Sequence, residues 1–145
     1  MISMKQVKDL MKFLFSHQGR YSDIGLLLMR FCGAFMILHG WEKFTNFSEG
    51  SADWPDPFHV GTKASYALTV FAELFCAIMV MLGLFTRATL IPLIILMLVI
   101  VFIIHSDDTF ADREHVIMYL LVYLSLFFTG PGKYSIDRLI QKGKH

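Results

Sequence analysis

The sequence predicts an all-α fold, an integral membrane four-helix bundle with N-terminal and C-terminal interfacial helices. Two observations carry this. Hydrophobic residues make up 55% of the 145 and charged residues 17%, with mean hydropathy +0.55, which is more apolar side chain than a soluble core of this size needs. Four apolar runs, at about 24–41, 64–85, 88–104 and 116–129, approach the ~20 residues a helix needs to cross a ~30 Å hydrocarbon layer. The length sets one domain, 1–145. A net charge of +1 gives no basic field, so no nucleic acid is expected as a partner.

Before the first span, Val7, Leu10, Met11, Leu14 and Phe15 recur at helical spacing opposite lysines, the pattern of a helix lying on the inner membrane surface. No small-residue cleavage site follows a short apolar region, so a removable signal peptide is not expected. The outer loop, about 44–63, contains Trp54-Pro55-Asp56-Pro57 with Phe47 and Phe58. Proline restrains its neighbours and aromatic rings favour the membrane interface, so a folded lid and a simple interfacial anchor are both open. Pro92 falls in the first turn or so of the third run, where a missing donor is tolerated. Gly130-Pro131-Gly132 stops the fourth run, and Ser135 is placed to cap a short helix with an apolar edge of Ile136, Leu139 and Ile140.

Basic residues near span ends stay on the cytoplasmic side. Lys5, Lys8, Lys12, Arg20, Arg87, Lys133, Arg138, Lys142 and Lys144 fall at one end, and Glu49, Asp53, Asp56, Asp107, Asp108, Asp112 and Glu114 at the other. The expected location is the inner (plasma) membrane, multi-pass, with both termini cytoplasmic.

Ionisable residues inside the spans are the candidates for function, because a charge in hydrocarbon costs several kcal/mol unless paired or hydrated. Counted from Asp23, Arg30 lies ~10 Å above the cytoplasmic boundary, and counted from Leu84, Glu73 lies ~16 Å above it. With Gly33 and Ala34 on the same face to admit the second helix, the spacing predicts an Arg30–Glu73 ion pair. The pair serves either as a register lock or as a catalytic or binding pair, in which Arg30 donates to a carbonyl, quinone head or anion and Glu73 accepts a proton. A second cluster, His39, Lys43, His105 and Glu114 with His115 beside it, gathers near the outer surface as a candidate ligand-binding or proton-relay group, or as ordinary interfacial hydrogen bonding. It lacks a metal-ligand spacing, so no metal site is expected. Cys32 is turned ~200° from Arg30 and no C-x-x-C occurs, so both Cys32 and Cys76 read as packing residues. Phosphate-loop and G-x-S-x-G signatures are absent.

In order along the chain, Arg30 with Gly33, His39-Gly40, Lys43, Glu73, Gly83 with Thr86-Arg87, His105, Glu114, Gly130-Pro131-Gly132 and Tyr134-Ser135-Ile136-Asp137 resemble the DoxX family of small four-helix membrane proteins. The outer loop with its proline-rich stretch departs from the simpler members. The resemblance implies a link to redox systems, as in subunits of quinone-linked oxidoreductases, and makes Arg30 and Glu73 the functional pair. It supplies no intrinsic cofactor; a bound quinone and a redox partner protein are the implied associates, beside membrane lipid and a homo-oligomer. Whether the chain is itself an enzyme stays open. The alternatives are a non-enzymatic assembly or stability factor and a small proton-coupled transporter.

Overall fold

The structure, a computed structural model, describes residues 4–8 and 19–143. All regular elements among them are helical. The first long segment is α1 (Gly19–Ala34) followed, after a one-residue break at Phe35, by α2 (Met36–Thr45). At the break, Phe35 N donates to Cys32 O and Leu38 N to Phe35 O, three-residue bonds that tighten the turn without ending the run. A single turn, α3 (Phe47–Gly50), leads into the loop. The remaining helices are α4 (Thr62–Leu82), α5 (Thr86–Ile104), α6 (Phe110–Thr129) and α7 (Ile136–Lys142). Apart from residues 4–8, which are helical, the expected N-terminal surface helix lies outside the described residues.

Three helical runs are long and apolar enough to cross a membrane: Ser22–Thr45, Thr62–Leu82 and Thr86–Ile104. The fourth long helix, α6, has 20 residues, about 30 Å of rise, but Asp112, Arg113 and Glu114 near its start make it more polar. It packs against α5 and α1, and Leu120, Tyr123 and Leu126 join Leu90, Leu93 and Met97 in the shared core. Large apolar side chains also point outward from every long helix: Phe31, Leu38, Phe75, Ile95, Phe102, Leu121 and Phe128 are each at least half exposed. Helices apolar on both faces suit a lipid surround.

Two glycines set how the helices meet. At Gly40 a Cβ would stand 2.6 Å from the Leu74 amide nitrogen and 2.7 Å from the Glu73 carbonyl carbon, so α2 crosses α4 backbone against backbone. Gly83 ends α4 in a left-handed conformation, φ 70°. Its amide donates to Val80 O and that of Leu84 to Met79 O, a Schellman closure. The expected contact of Gly33 with the second span is corrected: Gly33 faces α6, where its carbonyl accepts from the Tyr123 hydroxyl at 2.9 Å. Pro92 is likewise deeper than expected, in the second turn of α5, because the helix starts at Thr86 rather than Ala88. The helix continues through it.

The loop before α4 is folded around one carboxylate. Asp56 accepts from Val60 N, Gly61 N and Ser65 Oγ at 3.1, 2.7 and 2.6 Å, supplying acceptors to the otherwise unsatisfied donors at the start of α4. The Ser65 hydroxyl, helped by the two amides and His59, holds the Asp56 carboxyl below its ordinary range against the opposing cost of desolvation. Trp54 packs edge-on against Tyr66, with Phe47 on another side of the same ring.

Candidate functional site

The chemistry-bearing side chains fall into two groups, one at each end of the helices. At the end formed by the outer loop, a half-open cavity of about 210 Å³ lies between α2, α4, α5 and α6. Its polar wall is made by Lys43, Glu73, His39, His105, His115 and Tyr119, and its apolar wall by Met36, Met97, Ile100 and Ile104. Trp54 and Pro55 of the loop close one side, which agrees with a folded lid.

Glu73 is 3% exposed and bonds Lys43 Nζ through Oε2 at 2.6 Å. Lys43 is held in turn: its carbonyl accepts from the Tyr66 hydroxyl at 3.0 Å, and its ammonium stands 5.6 Å from the centre of the Trp54 ring, within cation–π range. The His105 ring is bonded to the Asp108 carboxylate. Among the described residues, His39, His115 and the Tyr119 hydroxyl form no hydrogen bond, so their polar atoms face the cavity without a partner there.

Both π-helical stretches among the described residues lie at this cavity. Glu73 sits in a π-helical turn, Phe71–Cys76, and the end of α5, Ile100–Ile104, is π-helical up to His105. Such turns are uncommon and recur at functional sites.

The expected Arg30–Glu73 ion pair is corrected: Glu73 is paired with Lys43, and Arg30 bonds elsewhere. The reason is register. Gly40 lies against Glu73, and Arg30 is ten residues below Gly40 on the same run, about 15 Å along a helix, beyond the reach of one side chain. Counting from Asp23 and Leu84 as a common boundary placed the two at similar depth, but Arg30 stands beside Gly83. Glu114 is exposed and outside the cavity lining, whereas its neighbour His115 is in it; the two positions are ~100° apart on a helix. His39, Lys43 and His105 do line the cavity together. Tyr119, Met36 and Met97 were missed by sequence reasoning. Tyr119 follows His115 by four residues, and that spacing was the available signal.

At the opposite end, Arg30 is 1% exposed. Its Nη2 donates to the Tyr134 carbonyl, while Nε and Nη1 have no partner. Asp137 accepts from Phe85 N, Thr86 N and Thr86 Oγ1 at 2.7, 2.9 and 2.8 Å, and its own amide donates to Gly83 O. Lys133 N donates to Asp23 Oδ1 at 2.9 Å. Ser135 caps α7 as expected, accepting from Arg138 N. The segment after α6 is thus clasped to α1 and to the α4–α5 turn.

Cys76 is buried, as expected of a packing residue, whereas Cys32, expected to pack as well, is exposed; both are free. Among the described residues no group of three or more His, Cys, Asp or Glu is arranged to hold a metal ion.

Two relatives extend the comparison over most of the chain. A protein of Haemophilus influenzae described only as uncharacterized is 30% identical over 134 residues, 86% of this chain and 89% of the relative. The inner membrane protein YqjF of Escherichia coli is 28% identical over 130 residues, 85% of this chain and 97% of the relative. No solved structure matches. The DoxX family profile matches residues 25–106, more than half of the chain, and with two near-full-length relatives beside it the protein belongs to the DoxX family.

Proposed function

We propose that this protein is a small multi-pass inner-membrane protein that binds a quinone head group in the cavity beside Lys43 and Glu73, as a quinone-associated subunit of a redox complex. The observation that carries this reading is the pair of partly buried Lys43 and buried Glu73, 2.6 Å apart, on the wall of a cavity where, among the described residues, His39, His115 and the Tyr119 hydroxyl form no hydrogen bond. A structural ion pair needs no such space.

In this reading α6 is the fourth crossing and the clasped end is cytoplasmic. Arg87, Lys133, Arg138 and Lys142 lie at that end, against Glu49, Asp53, Asp107 and Asp108 at the other, with Lys43, Lys63 and Arg113 as basic exceptions and Asp23 and Asp137 as acidic ones. The basic excess favours that orientation.

The cavity suits a small head group: at about 210 Å³ it falls below the ~300–1,000 Å³ of drug-sized sites. It offers cationic and neutral donors over a floor of methionine and isoleucine. A quinone supplies carbonyl acceptors and two-electron, two-proton chemistry. Lys43 has three donors, one of which holds Glu73, so a second is available to a carbonyl oxygen. Glu73 fixes the ammonium in place. His39 and His115 present ring nitrogens that can donate or accept a proton, and Trp54 and Pro55 limit water on the loop side. Electrons come from a redox partner protein. A proton-coupled transporter would need Glu73 free to load and release a proton, which its contact with Lys43 opposes.

The test is mass spectrometry of gently purified protein. Quinone retained by the wild type and reduced at least about tenfold in Lys43→Met, a loss of one charge-assisted hydrogen bond, is the expected result. Lipid alone, unchanged by Lys43→Met, would contradict it.

A further inference from the structure

The hollow at the clasped end takes no part in the function proposed above. It encloses about 830 Å³, and Arg87, Lys133, Arg138 and Lys142 all line it. The two carboxylates on its wall are already used by the chain: Asp23 accepts from the Lys133 amide, and Asp137 from Phe85 and Thr86. The four cationic side chains, by contrast, form no ion pair among the described residues. Behind Ser135, which also lines the hollow, the buried Arg30 guanidinium adds a fifth positive charge, with Nε and Nη1 unpartnered. Five cations against the two carboxylates leave a net positive potential in a concave, partly desolvated place.

The rim is apolar. Phe85 is 62% exposed and Ile140 46%, beside a lining in which cations outnumber carboxylates. A soluble anion would gain nothing from these side chains. An amphiphile with an anionic head would meet the cations with its head and the rim with its chains.

We propose that this hollow is a head-group site for an anionic phospholipid of the adjoining leaflet. Arg87 and Arg138 are its principal phosphate ligands, because a guanidinium donates two parallel bonds to a phosphate. Lys133 and Lys142 add charge, and Phe85 and Ile140 meet the acyl chains. Such a lipid would bridge the α4–α5 turn, which carries Arg87, to the segment after α6, reinforcing the bonds of Asp137 across the same seam. The proposal rests on the membrane placement given above and not on any ligand of the cavity.

The test is native mass spectrometry of the full chain released from mixed micelles, with phosphatidylglycerol, phosphatidylcholine and inorganic phosphate as separate probes. Arg87 and Arg138 are exposed and their side chains hold no structural bond, so Arg87→Gln and Arg138→Gln should fold. Phosphatidylglycerol should be retained in preference to phosphatidylcholine, each substitution should weaken that retention about fivefold, and millimolar phosphate should not displace the lipid. Equal retention of the two lipids, or a preference that survives both substitutions, would overturn the site. Displacement by phosphate alone would overturn the lipid in favour of a free anion. The quinone signal in the same spectra reports on the cavity independently, so failure of one proposal is distinguishable from failure of the other.

Discussion

At the clasped end the chain bonds its carboxylates to its own backbone and leaves cations over, whereas at the loop end it pairs its one buried carboxylate with a lysine and leaves neutral polar groups facing space. Asp137 has all its acceptor work done by Phe85 and Thr86, and Ser135 both caps α7 and donates to Gly132 O. Around the cavity, one strong bond joins Lys43 to Glu73, and His39, His115 and Tyr119 remain unengaged. The DoxX-like residues divide between the two ends in the same way. Arg30, Gly83, Thr86, Gly130-Pro131-Gly132 and Tyr134 to Asp137 build the clasp; Gly40, Lys43, Glu73 and His105 build the cavity. The first set ties the segment after α6 to α1 and the start of α5, and the second lines the cavity proposed above for a quinone head group.

The largest effect should come from the crossing that positions the cavity. A side chain at Gly40 meets the α4 backbone, where nothing can swing aside, so Gly40→Val should cost about 3 kcal/mol or more and part Lys43 from Glu73. Thermal unfolding in detergent would measure it. An unchanged melting temperature would mean the helices do not cross there.

Asp137→Asn should rank next. The amide keeps one acceptor but loses the charge that strengthens three bonds, a cost of about 2 kcal/mol. Retention of a cavity ligand should be unaffected, since the two ends share no hydrogen bond. If Asp137→Asn emptied the cavity while the protein stayed folded, the division into two regions would fail.

A smaller, local effect concerns the loop over the cavity. The Asp56 carboxyl is held below its ordinary range chiefly by the Ser65 hydroxyl, so its stabilising contribution is present above the unfolded value of ~3.9 and is lost as pH falls through the depressed folded value. Trp54 emission should therefore stay constant from neutral pH down to about 4 and change below that. Asp56→Asn should remove this transition and loosen the loop already at neutral pH. A transition that persisted in the variant would assign it to another group.

Much of this was legible in the sequence, for reasons that differ by residue. The apolar runs placed three spans, because ~20 uncharged residues in a row have few other uses. Gly130-Pro131-Gly132 and Ser135 announced the stop and the cap through their own backbone preferences. Glu73 stood out as a carboxylate in an apolar run. Its partner did not, because helix counting assumes a shared starting level, and the offset between α1 and α4 is set by packing at Gly40 and Gly83. Glu114 and His115 were not separable for a similar reason: one residue of helix phase decides which faces the cavity. The π-turn at Phe71–Cys76 shifts the phase of α4 around Glu73 in the same way and carries no sequence signal.

A pair of double-mutant cycles in lipid nanodiscs tests the central claim most directly, one on Lys43→Met with Glu73→Gln and one on Arg30→Met with Glu73→Gln. The account predicts a coupling of about 1–3 kcal/mol in the first cycle and additive losses in the second. Coupling between Arg30 and Glu73 with additivity between Lys43 and Glu73 would contradict it.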